Sequence, residues 1–519
     1  MSAHPQRFSR PGTDLVLVAA GALALLVVGG QERARLGRLV PPLDDTYIHL
    51  RLAYNLAIGR GPVFNPGEVL PVSTSPLWVA LLVPAGWLGR DAMVPASVLL
   101  SALSALLLLP LIRRLGLAAG LSPPLAVLAA ALGFSNGRIF YSALSGMETD
   151  LFAAACAAAM LLYLRRDRLD EATGLTFGLA TLVRPEGHLL FAVVLVHQAL
   201  RRLRDVRPGL RQLLPVRTVL GYALAVSPFI LFCLATTGSP FPTTFGAKHG
   251  VFGAYRAMYL DFSVLYFRLE NPVAAVMLPL AVIWLGASVI RKRMVFLASP
   301  AALVAGWPLI YLAAAYAIEP MPFQFCRYQI PLLPWFPLLA VLAAGDVYER
   351  LIARFRPRRS VALGVLAVII AALSLPQLAN TVRWREVLIE SARNQQEMHD
   401  TVGRWLGDNT APGETIATMD VGAIGFYSDR RIIDLLGILT PEVMPYIRGQ
   451  GLTLERSRRL LEFLRLRRPD YLVLFPTAFP GLAADPAVFR PIYEASVRGR
   501  RMATAPVMVV YKCEWKAGR

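Results

Sequence analysis

Residues 41–51 of this chain read PPLDDTYIHLR and place two adjacent carboxylates, Asp44 and Asp45, just past the first long apolar segment. The polar stretch around them continues to about Ser75, where the next apolar segment begins. Adjacent carboxylates repel each other and resist desolvation, so keeping both beside a bilayer costs free energy. A general base or a cation site would explain the pair, and a solvated loop that carries two acids is the alternative.

The composition is that of a polytopic membrane protein. Of the 519 residues, 55% are hydrophobic and 17% are charged, against about 25% charged residues in soluble domains. The mean hydropathy is +0.51. Four cysteines are scattered without Cys-x-x-Cys or Cys/His spacing, which supports neither a zinc site nor a disulfide framework.

The strongly basic balance, with a net charge of +19, reflects membrane topology rather than nucleic-acid binding. Arginines cluster between apolar segments, for example at 113–114, 201–204, 291–293 and 354–359. Such clusters are typical of cytoplasmic anchors under the positive-inside rule. Arg33, Arg35 and Arg38 lie on the opposite side, where anionic lipid headgroups or an anionic ligand would explain them.

Segment lengths predict about eleven transmembrane helices, since a span needs roughly 20 apolar residues. They lie near 14–30, 92–112, 123–140, 148–164, 173–184, 187–201, 217–235, 273–290, 295–316, 329–345 and 361–376. The shorter stretch 76–88 is assigned to an interfacial or re-entrant helix within a first outer loop, 31–91. The arginine clusters then fall on one side, which predicts a multi-pass protein of the cell membrane with a cytoplasmic N-terminus and an extracytoplasmic C-terminus.

Residues 378–519 contain no span-length apolar run and have the periodicity of a globular α/β domain. Helices are predicted over 396–406 and 458–466, and strands over 415–419, 471–475 and 507–511. The chain therefore divides into a transmembrane module, 1–377, and an extracytoplasmic α/β domain, 378–519.

Residues 184–187, Arg-Pro-Glu-Gly, interrupt an otherwise apolar region. A charged residue at a helix centre costs about 2.5–3.5 kcal/mol on insertion scales. Broken backbone at membrane depth is tolerated only inside protein or along a wet cavity. Arg184 and Glu186 therefore either form a pair that caps two half-helices at the outer surface, or line a cavity that binds an anion.

Other polar residues on the same predicted side are individually unspecific. Glu148 begins a span, where an acid is often only a partner of the helix dipole. Lys248 and His249 could bind phosphate or lie on the surface, and Arg327 could bind phosphate or snorkel. Together these groups suit a reaction that deprotonates a hydroxyl while an anionic leaving group departs. The set comprises Asp44, Asp45, His49, Arg51, Arg138, Glu148, Arg184, Glu186, Lys248, His249 and Arg327.

The order of these motifs resembles the GT-C superfamily of membrane glycosyltransferases, which use sugars linked to polyprenyl phosphate. Within it, the chain looks most like the bacterial branch related to the terminal arabinofuranosyltransferase of the mycobacterial cell wall. The likeness runs over most of the chain, and its first block is the most specific. The blocks are 44–51, 61–68, 74–78, 145–149, 184–187, 241–248, 327–328 and 420–429.

The resemblance implies a GT-C-like fold, a lipid monophosphate sugar donor, an extracytoplasmic glycan or protein acceptor, and inversion at the sugar. An acid of the first outer loop acts as base in such enzymes, which here implies Asp44 or Asp45, with Asp44 favoured. Where the family has an aromatic, this chain has Ser73 or a neighbour, so donor positioning in that loop stays open. The implied donor- or phosphate-binding residues are Arg51, Arg184, Lys248, His249 and Arg327. His49, Arg138, Glu148 and Glu186 are further cavity candidates.

No cofactor is required by these residues, although Asp44 and Asp45 could hold a divalent cation such as Mg, Mn or Ca. The expected partners are the polyprenyl-phosphate sugar, the acceptor and membrane lipids, and not nucleic acid. Two other functions remain open. A secondary transporter would use the break at 184–187 as part of a substrate path, although transporters usually have two such breaks in related halves. A non-catalytic scaffold of the cell envelope would share the fold without a working site.

Overall fold

The computed structural model describes residues 11–166, 170–205, 215–248, 255–270, 272–318, 320–355, 359–447, 454–499 and 504–515. Helices fill the part of the chain up to residue 355. They are α1 (Pro11–Leu36), α2 (Asp44–Ala57), α3 (Pro76–Trp87), α4 (Arg90–Ala118), α5 (Pro123–Phe134), α6 (Gly137–Ala143), α7 (Thr149–Arg165), α8 (Glu171–Val183), α9 (Gly187–Asp205), α10 (Val216–Thr237), α11 (Thr243–Lys248), α12 (Arg256–Glu270), α13 (Pro272–Leu297), α14 (Pro300–Ile318) and α15 (Trp335–Phe355).

Four helices in the described ranges, α1, α4, α10 and α14, are long and apolar enough to cross a membrane. The segment Phe323–Leu332 together with the first part of α15 adds a fifth candidate, bent by 49°. Some of the other predicted spans coincide with helices that are short or interrupted, such as α8, which has only 13 residues. The third is one example, because α5 and α6 divide it. Eleven spans, and the orientation of the termini, therefore stay predictions.

The predicted first outer loop, 31–91, is largely helical. Helix α1 continues to Leu36, α2 begins at the acidic pair, and α4 already begins at Arg90. The interfacial or re-entrant helix predicted over 76–88 is observed as helix α3. Pro76 lies at the first helical position of α3, where its missing N–H leaves no hydrogen bond unmade.

The C-terminal part is an α/β domain, as predicted. It follows the long helix α16 (Arg359–Asn394). Its elements are a π-helical turn (Gln395–Asp400), α17 (Thr401–Asn409), β1 (Thr415–Thr418), α18 (Gly422–Ser428), β2 (Arg431–Asp434), α19 (Met444–Ile447), α20 (Leu454–Arg467), β3 (Tyr471–Leu474), β4 (Phe489–Ser496) and β5 (Val507–Cys513). The strand order is β2-β1-β3-β5-β4. The pairs β2/β1 and β1/β3 are parallel, whereas β3/β5 and β5/β4 are antiparallel.

Packing joins the first outer loop to this domain. Buried Tyr47 and Leu50 of α2 and Trp78 of α3 belong to the same hydrophobic cluster as Ile416 of β1 and Leu472 of β3. A second cluster fills the helical module. Helix α16 runs without interruption through the predicted boundary at 377/378. The core therefore groups α2 and α3 with described residues between Met398 and Cys513 in one packed body.

Two glycines allow α18 to lie directly on α2. A Cβ at Gly422 would meet the backbone oxygen of Asp44 at 2.0 Å, and one at Gly425 would meet the guanidinium of Arg51 at 2.6 Å. Neither position has room for a larger residue. The two helices therefore approach as closely as backbones can, which fixes the domain on α2.

The Arg51 side chain makes three hydrogen bonds that strengthen the contact between α2 and α18. Its Nε donates to the carbonyl of Phe64 at 2.8 Å, Nη1 to that of Gly425 at 2.6 Å, and Nη2 to that of Arg430 at 2.7 Å. The side chain is buried and stacks on the Phe64 ring. In this arrangement the three guanidinium nitrogens of Arg51 are occupied by carbonyl groups, and its assignment to donor phosphate stays a prediction.

Arg51→Met should loosen the domain from α2, because three buried carbonyl oxygens would lose a charged donor. Hydrogen bonds to charged groups contribute about 1.5–3 kcal/mol each, so we expect a loss of at least about 3 kcal/mol. Thermal unfolding of the detergent-solubilised protein and proteolysis near residues 410–430 measure it. The control is Arg60→Met, which removes an exposed ion pair to Asp429 and should cost under about 1 kcal/mol. Equal effects of the two substitutions would contradict the assignment.

Candidate active site

The two adjacent carboxylates at the start of α2 point to different partners. Asp44 accepts hydrogen bonds from the backbone N–H groups of Gly422 (2.7 Å) and Ala423 (2.8 Å). Asp45 lies 2.7 Å from Nη1 of Arg327, and its side chain remains 33% exposed. Both acids lie in the first turn of α2, where the helix dipole favours negative charge. The pair thus divides into one carboxylate that holds the domain and one that faces the helical module.

Arg327 is presented by an unusual backbone. The three residues before it, 324–326, have φ angles of 52°, 60° and 50° although none is glycine. Left-handed conformations cost an L-residue roughly 1–2 kcal/mol each. Buried Arg138 donates from Nη1 to the carbonyl of Phe325 at 2.9 Å and so holds this turn. Strain of this kind persists where the surroundings over-determine it, often at functional sites.

The predicted break at 184–187 is observed between α8 and α9, and its charges are paired. Arg184 donates from Nη1 to Glu148 at 3.0 Å and from Nη2 to Glu186 at 2.9 Å. Tyr311 donates from its hydroxyl to Glu186 at 3.0 Å, and the Arg184 guanidinium lies 4.9 Å from the centre of the Tyr328 ring. Arg184 is buried. The break therefore brings a cation into the protein interior beside the Asp45–Arg327 pair.

His49 connects this ion network to the first outer loop. Its Nε2 lies 3.6 Å from Oε2 of Glu148, and its Nδ1 lies 3.3 Å from the Ser73 hydroxyl. Both His49 and Glu148 are buried.

The network is nearly self-neutral. Its three carboxylates (Asp45, Glu148 and Glu186) meet two guanidinium groups (Arg184 and Arg327), which leaves a formal charge of −1 among these five side chains.

A second ionisable cluster lies at the contact between α2 and the domain. Nε2 of His399 is 2.8 Å from Asp420. Burial by itself lowers the pKa of His399, but the hydrogen bond and charge of Asp420, with Asp44 nearby, raise it to about 9. Desolvation raises the pKa of Asp44 to about 6, against the attraction of His399. The protonated His399 ring therefore lies close to the carboxylates of Asp420 and Asp44 at the contact between α2 and the domain.

Arg35 and Arg38, which the topology prediction places on the side of the membrane opposite to the cytoplasmic arginine clusters, also form ion pairs in this region. Arg38 donates to Asp400 at 2.8 Å, and Arg35 pairs with Glu386 at 2.6 Å. Tyr47 of α2 also donates to Asp400, at 3.2 Å. Burial raises the pKa of Asp400, with Arg38 opposing the shift. In this structure Arg35 and Arg38 bind carboxylates of the α16–α17 region.

The structure gathers six of the predicted site residues: Asp45, His49, Glu148, Arg184, Glu186 and Arg327. Asp44 and Arg51 face the domain instead, and Arg138 supports the turn before Arg327. The backbone of Lys248 ends α11, while its side chain and His249 lie outside the described residues.

The predicted cation site on Asp44 and Asp45 is not formed by the described residues. Both oxygens of Asp44 accept backbone N–H groups, and Asp45 faces a guanidinium. Within these ranges, no three His, Cys, Asp or Glu side chains are arranged to hold a metal ion. The cation that neutralises Asp45 is Arg327.

Sequence reasoning missed Tyr311, Tyr328, His399 and Asp400 as partners of the charged groups. Tyr328 directly follows Arg327, and Asp420, the partner of His399, begins the block 420–429 quoted above. Those neighbours were the available signals. Tyr311 lies within a predicted span without a local motif, so its contact with Glu186 depends on the tertiary fold alone.

Comparison with known proteins supports the GT-C fold. Residues 385–511 match a family model described as a domain of unknown function, DUF8728. The terminal β-(1→2)-arabinofuranosyltransferase of Mycobacterium tuberculosis is 50% identical over 46 residues, which are 9% of this chain and 7% of that enzyme. The aligned piece is thus a small part of either protein.

Solved structures match over nearly the whole chain. The oligosaccharyltransferase of Archaeoglobus fulgidus superimposes with a TM-score of 0.61 at 13% identity, covering 97% of this chain and 74% of that one. Its complex with an inhibitory peptide and a dolichol-phosphate gives 0.60 at 13%, covering 97% and 75%. ArnT from Cupriavidus metallidurans bound to undecaprenyl phosphate gives 0.56 at 13%, covering 97% and 98%. At these identities the likeness concerns the fold: the chain has the fold of GT-C membrane glycosyltransferases, as the sequence predicted.

His399→Gln should make domain docking less sensitive to pH. The pKa of His399 in the folded protein, about 9, lies above its ordinary value of 6.5. The imidazolium therefore contributes stability that is fully present below pH 6.5 and is lost as the pH rises through 9. At about 1.4 kcal/mol per pKa unit, wild type should exceed the variant by on the order of 3 kcal/mol at pH 6, and by little at pH 10.

Unfolding midpoints of both proteins across this range measure the difference. His188→Gln is the matched control, because the His188 ring bonds to the Tyr222 hydroxyl instead of a carboxylate. A wild-type advantage that does not shrink between pH 6.5 and 9 would argue against a charged His399.

Proposed function

We propose that the chain is an inverting glycosyltransferase that moves a sugar from a polyprenyl-phosphate donor to an extracytoplasmic glycan or protein acceptor. The observation that carries this proposal is the position of Asp45. It is a carboxylate one-third exposed to solvent, held against buried Arg327 and next to the Glu148–Arg184 pair. A base beside two buried cations suits a reaction in which a hydroxyl loses a proton while a phosphate departs. The fold shared with ArnT bound to undecaprenyl phosphate supports a lipid-phosphate donor.

In the proposed reaction, Asp45 accepts the proton of the acceptor hydroxyl. The hydroxyl oxygen forms a bond to the anomeric carbon from the side opposite the phosphate, while the carbon–oxygen bond to the phosphate breaks. The electron pair of that bond stays on the phosphate, whose charge Arg327 and Arg184 stabilise. Displacement from the opposite side inverts the anomeric configuration. Preorganised cations of this kind act most strongly in a water-poor site.

The structure favours Asp45 over Asp44 as base, which reverses the preference implied by the resemblance. Both oxygens of Asp44 are engaged by backbone N–H groups of α18. Asp44 also belongs to the cluster of His399 and Asp420, on the domain side of α2. Asp45 instead lies in the ion network beside Arg327, with a third of its side chain exposed to solvent.

The Asp45–Arg327 ion pair also suggests an order of binding. A carboxylate paired with a guanidinium is a weaker base than an unpaired one, since the opposite charge favours its ionised form. A donor phosphate that binds Arg327 would take the place of Asp45 on that guanidinium. Asp45 would then be released as base only when the donor is in place.

Location and partners follow the same proposal. The active site would lie on the extracytoplasmic side of the cell membrane, with the N-terminus in the cytoplasm and the C-terminal α/β domain on the same extracytoplasmic side. The paired charges at 184–187 fit a structural and anion-binding role within one cavity, which weakens the case for a transporter. Whether the sugar is a pentose or a hexose is the next question for donor assays.

Asp45→Asn should abolish transfer, whereas Asp44→Asn should mainly destabilise the protein. Loss of a general base lowers kcat by about 10²–10⁴-fold. Loss of the charge on Asp44 should cost about 1–2 kcal/mol of docking energy and leave measurable turnover. The assay follows radiolabelled arabinofuranose or hexose from undecaprenyl phosphate onto an arabinofuranose oligosaccharide or a peptide. Equal activity of the two variants would sink the assignment, and absence of wild-type transfer with every donor would overturn the proposed function.

Arg138→Met should weaken binding of the lipid phosphate although Arg138 lies behind the turn that carries Arg327. Releasing the carbonyl of Phe325 lets residues 324–326 relax, which moves Arg327. We expect inhibition by undecaprenyl phosphate to weaken by about tenfold, and by up to about 100-fold in Arg327→Gln, since charged hydrogen bonds contribute about 1.5–3 kcal/mol. Arg350→Met, which removes an exposed pair with Asp346, is the control. Unchanged inhibition in Arg138→Met would show that the turn does not position Arg327.

A further inference from the structure

His49 lies one helical turn after Asp45 on α2. Residues four apart share one helix face, with their Cβ atoms about 5–6 Å from each other. The proposed base and this imidazole therefore approach the same cavity from the same element. Nε2 of His49 faces Glu148 at 3.6 Å, and through Glu148 the ring connects to Arg184.

The other side of His49 meets an apolar groove. Ser73, whose hydroxyl is 3.3 Å from Nδ1 of His49, is part of the groove lining. The groove has a volume of about 170 Å³, and Leu52, Val72, Phe229 and Phe232 also line it. Phe229 and Phe232 belong to α10, a helix able to cross a membrane. His49 thus lies where an apolar surface meets the ion network.

At that junction the two ends of a lipid phosphate would occupy different surroundings. An isoprenoid chain suits an apolar groove beside a membrane helix, and its phosphate suits the arginines of the ion network. The imidazole would then lie beside the phosphate, within reach of the oxygen that joins it to the sugar. The small side chain of Ser73 leaves this junction open, at the place where the family resemblance leads one to expect an aromatic.

The charges around His49 favour its protonated form. The carboxylates Asp45, Glu148 and Glu186 exceed the guanidinium groups Arg184 and Arg327 by one charge. An imidazolium beside Oε2 of Glu148 brings this group of six side chains to neutrality. Opposite charges within about 4–6 Å favour the charged form of a titratable group.

We propose that His49 is the general acid of the transfer reaction, which rests on the function proposed above. The bond between the anomeric carbon and the phosphate oxygen breaks, and that oxygen receives the Nε2 proton of His49. Asp45 meanwhile takes the proton of the acceptor hydroxyl. The products are the glycosylated acceptor and the protonated lipid phosphate, and after product release Asp45 gives its proton to water while His49 takes one from water. Before donor binding, Nε2 of the ring faces Oε2 of Glu148 at 3.6 Å, and Ser73 lies against the opposite nitrogen.

The pH dependence of kcat tests this role. In wild type, kcat should fall at low pH as Asp45 is protonated, and fall at high pH as His49 loses its proton. His49→Gln should lower kcat by about 10²–10⁴-fold, remove the fall at high pH, and change the donor KM much less. Ser73→Ala is the matched control: it keeps the imidazole, so both limbs of the profile should remain while the donor KM rises. A structural role alone would leave the alkaline limb in His49→Gln, and that result would overturn the proposal.

A second measurement has a decisive readout in wild type, which does not depend on whether the variant folds. A donor with sulfur in place of the oxygen between the anomeric carbon and phosphorus releases a less basic leaving atom, which needs no proton. With this donor the alkaline limb of wild type should disappear, and His49→Gln should recover to within about tenfold of wild type. A wild-type limb that persists with the sulfur donor would overturn the proposal. Absence of wild-type transfer with the ordinary donor would instead overturn the proposed function itself.

Discussion

The carboxylate of Asp44 is the point on which the arrangement of this protein depends. It binds two consecutive backbone N–H groups of α18, and α18 can approach only because Gly422 has no side chain. This contact fixes the direction of the first turn of α2. Since Asp45 follows Asp44 directly, the domain contact also fixes where Asp45 points. The position of the proposed base is thus set by a part of the chain that contributes no atom to the ion network.

The ion network illustrates a second constraint, which is that buried charges must be compensated. Arg184 and Arg327 are buried cations, and each has a carboxylate within 3.0 Å. Such pairs can cost as much to desolvate as they gain from attraction, so their stability alone does not explain them. A cavity in which every charge has a replaceable partner can instead accept an anionic ligand without leaving a charge exposed to the bilayer. The left-handed turn before Arg327 indicates that surrounding contacts hold this cation in position at the cost of some backbone strain.

Much of this organisation could be predicted from the sequence, and the failures have identifiable causes. Hydrophobic length and periodicity located α4 and α10 and the strands β1, β3 and β5. The break at 184–187 was predicted because charge is expensive at membrane depth. The division of roles between Asp44 and Asp45 could not be predicted, because the partner of Asp44 lies 378 residues away along the chain. The left-handed turn at 324–326 contradicts the preferences of its own residues, so no local rule could find it. The carbonyl partners of Arg51 could not be predicted either, because they exist only in the folded interface.

The shared core of α2 and the C-terminal domain has a consequence for biosynthesis. Asp44 and Gly422 are 378 residues apart in the chain. At about 5–20 residues per second, α2 leaves the ribosome roughly 20–75 s before its partner α18. During that interval Tyr47, Leu50 and their neighbours have no domain to cover them, so they must pack on α3 or rest at the lipid surface. The candidate active site is therefore assembled only after the residues around Gly422 have been synthesised, and in a chain whose synthesis stalls before residue 420 the proposed base is not yet in place.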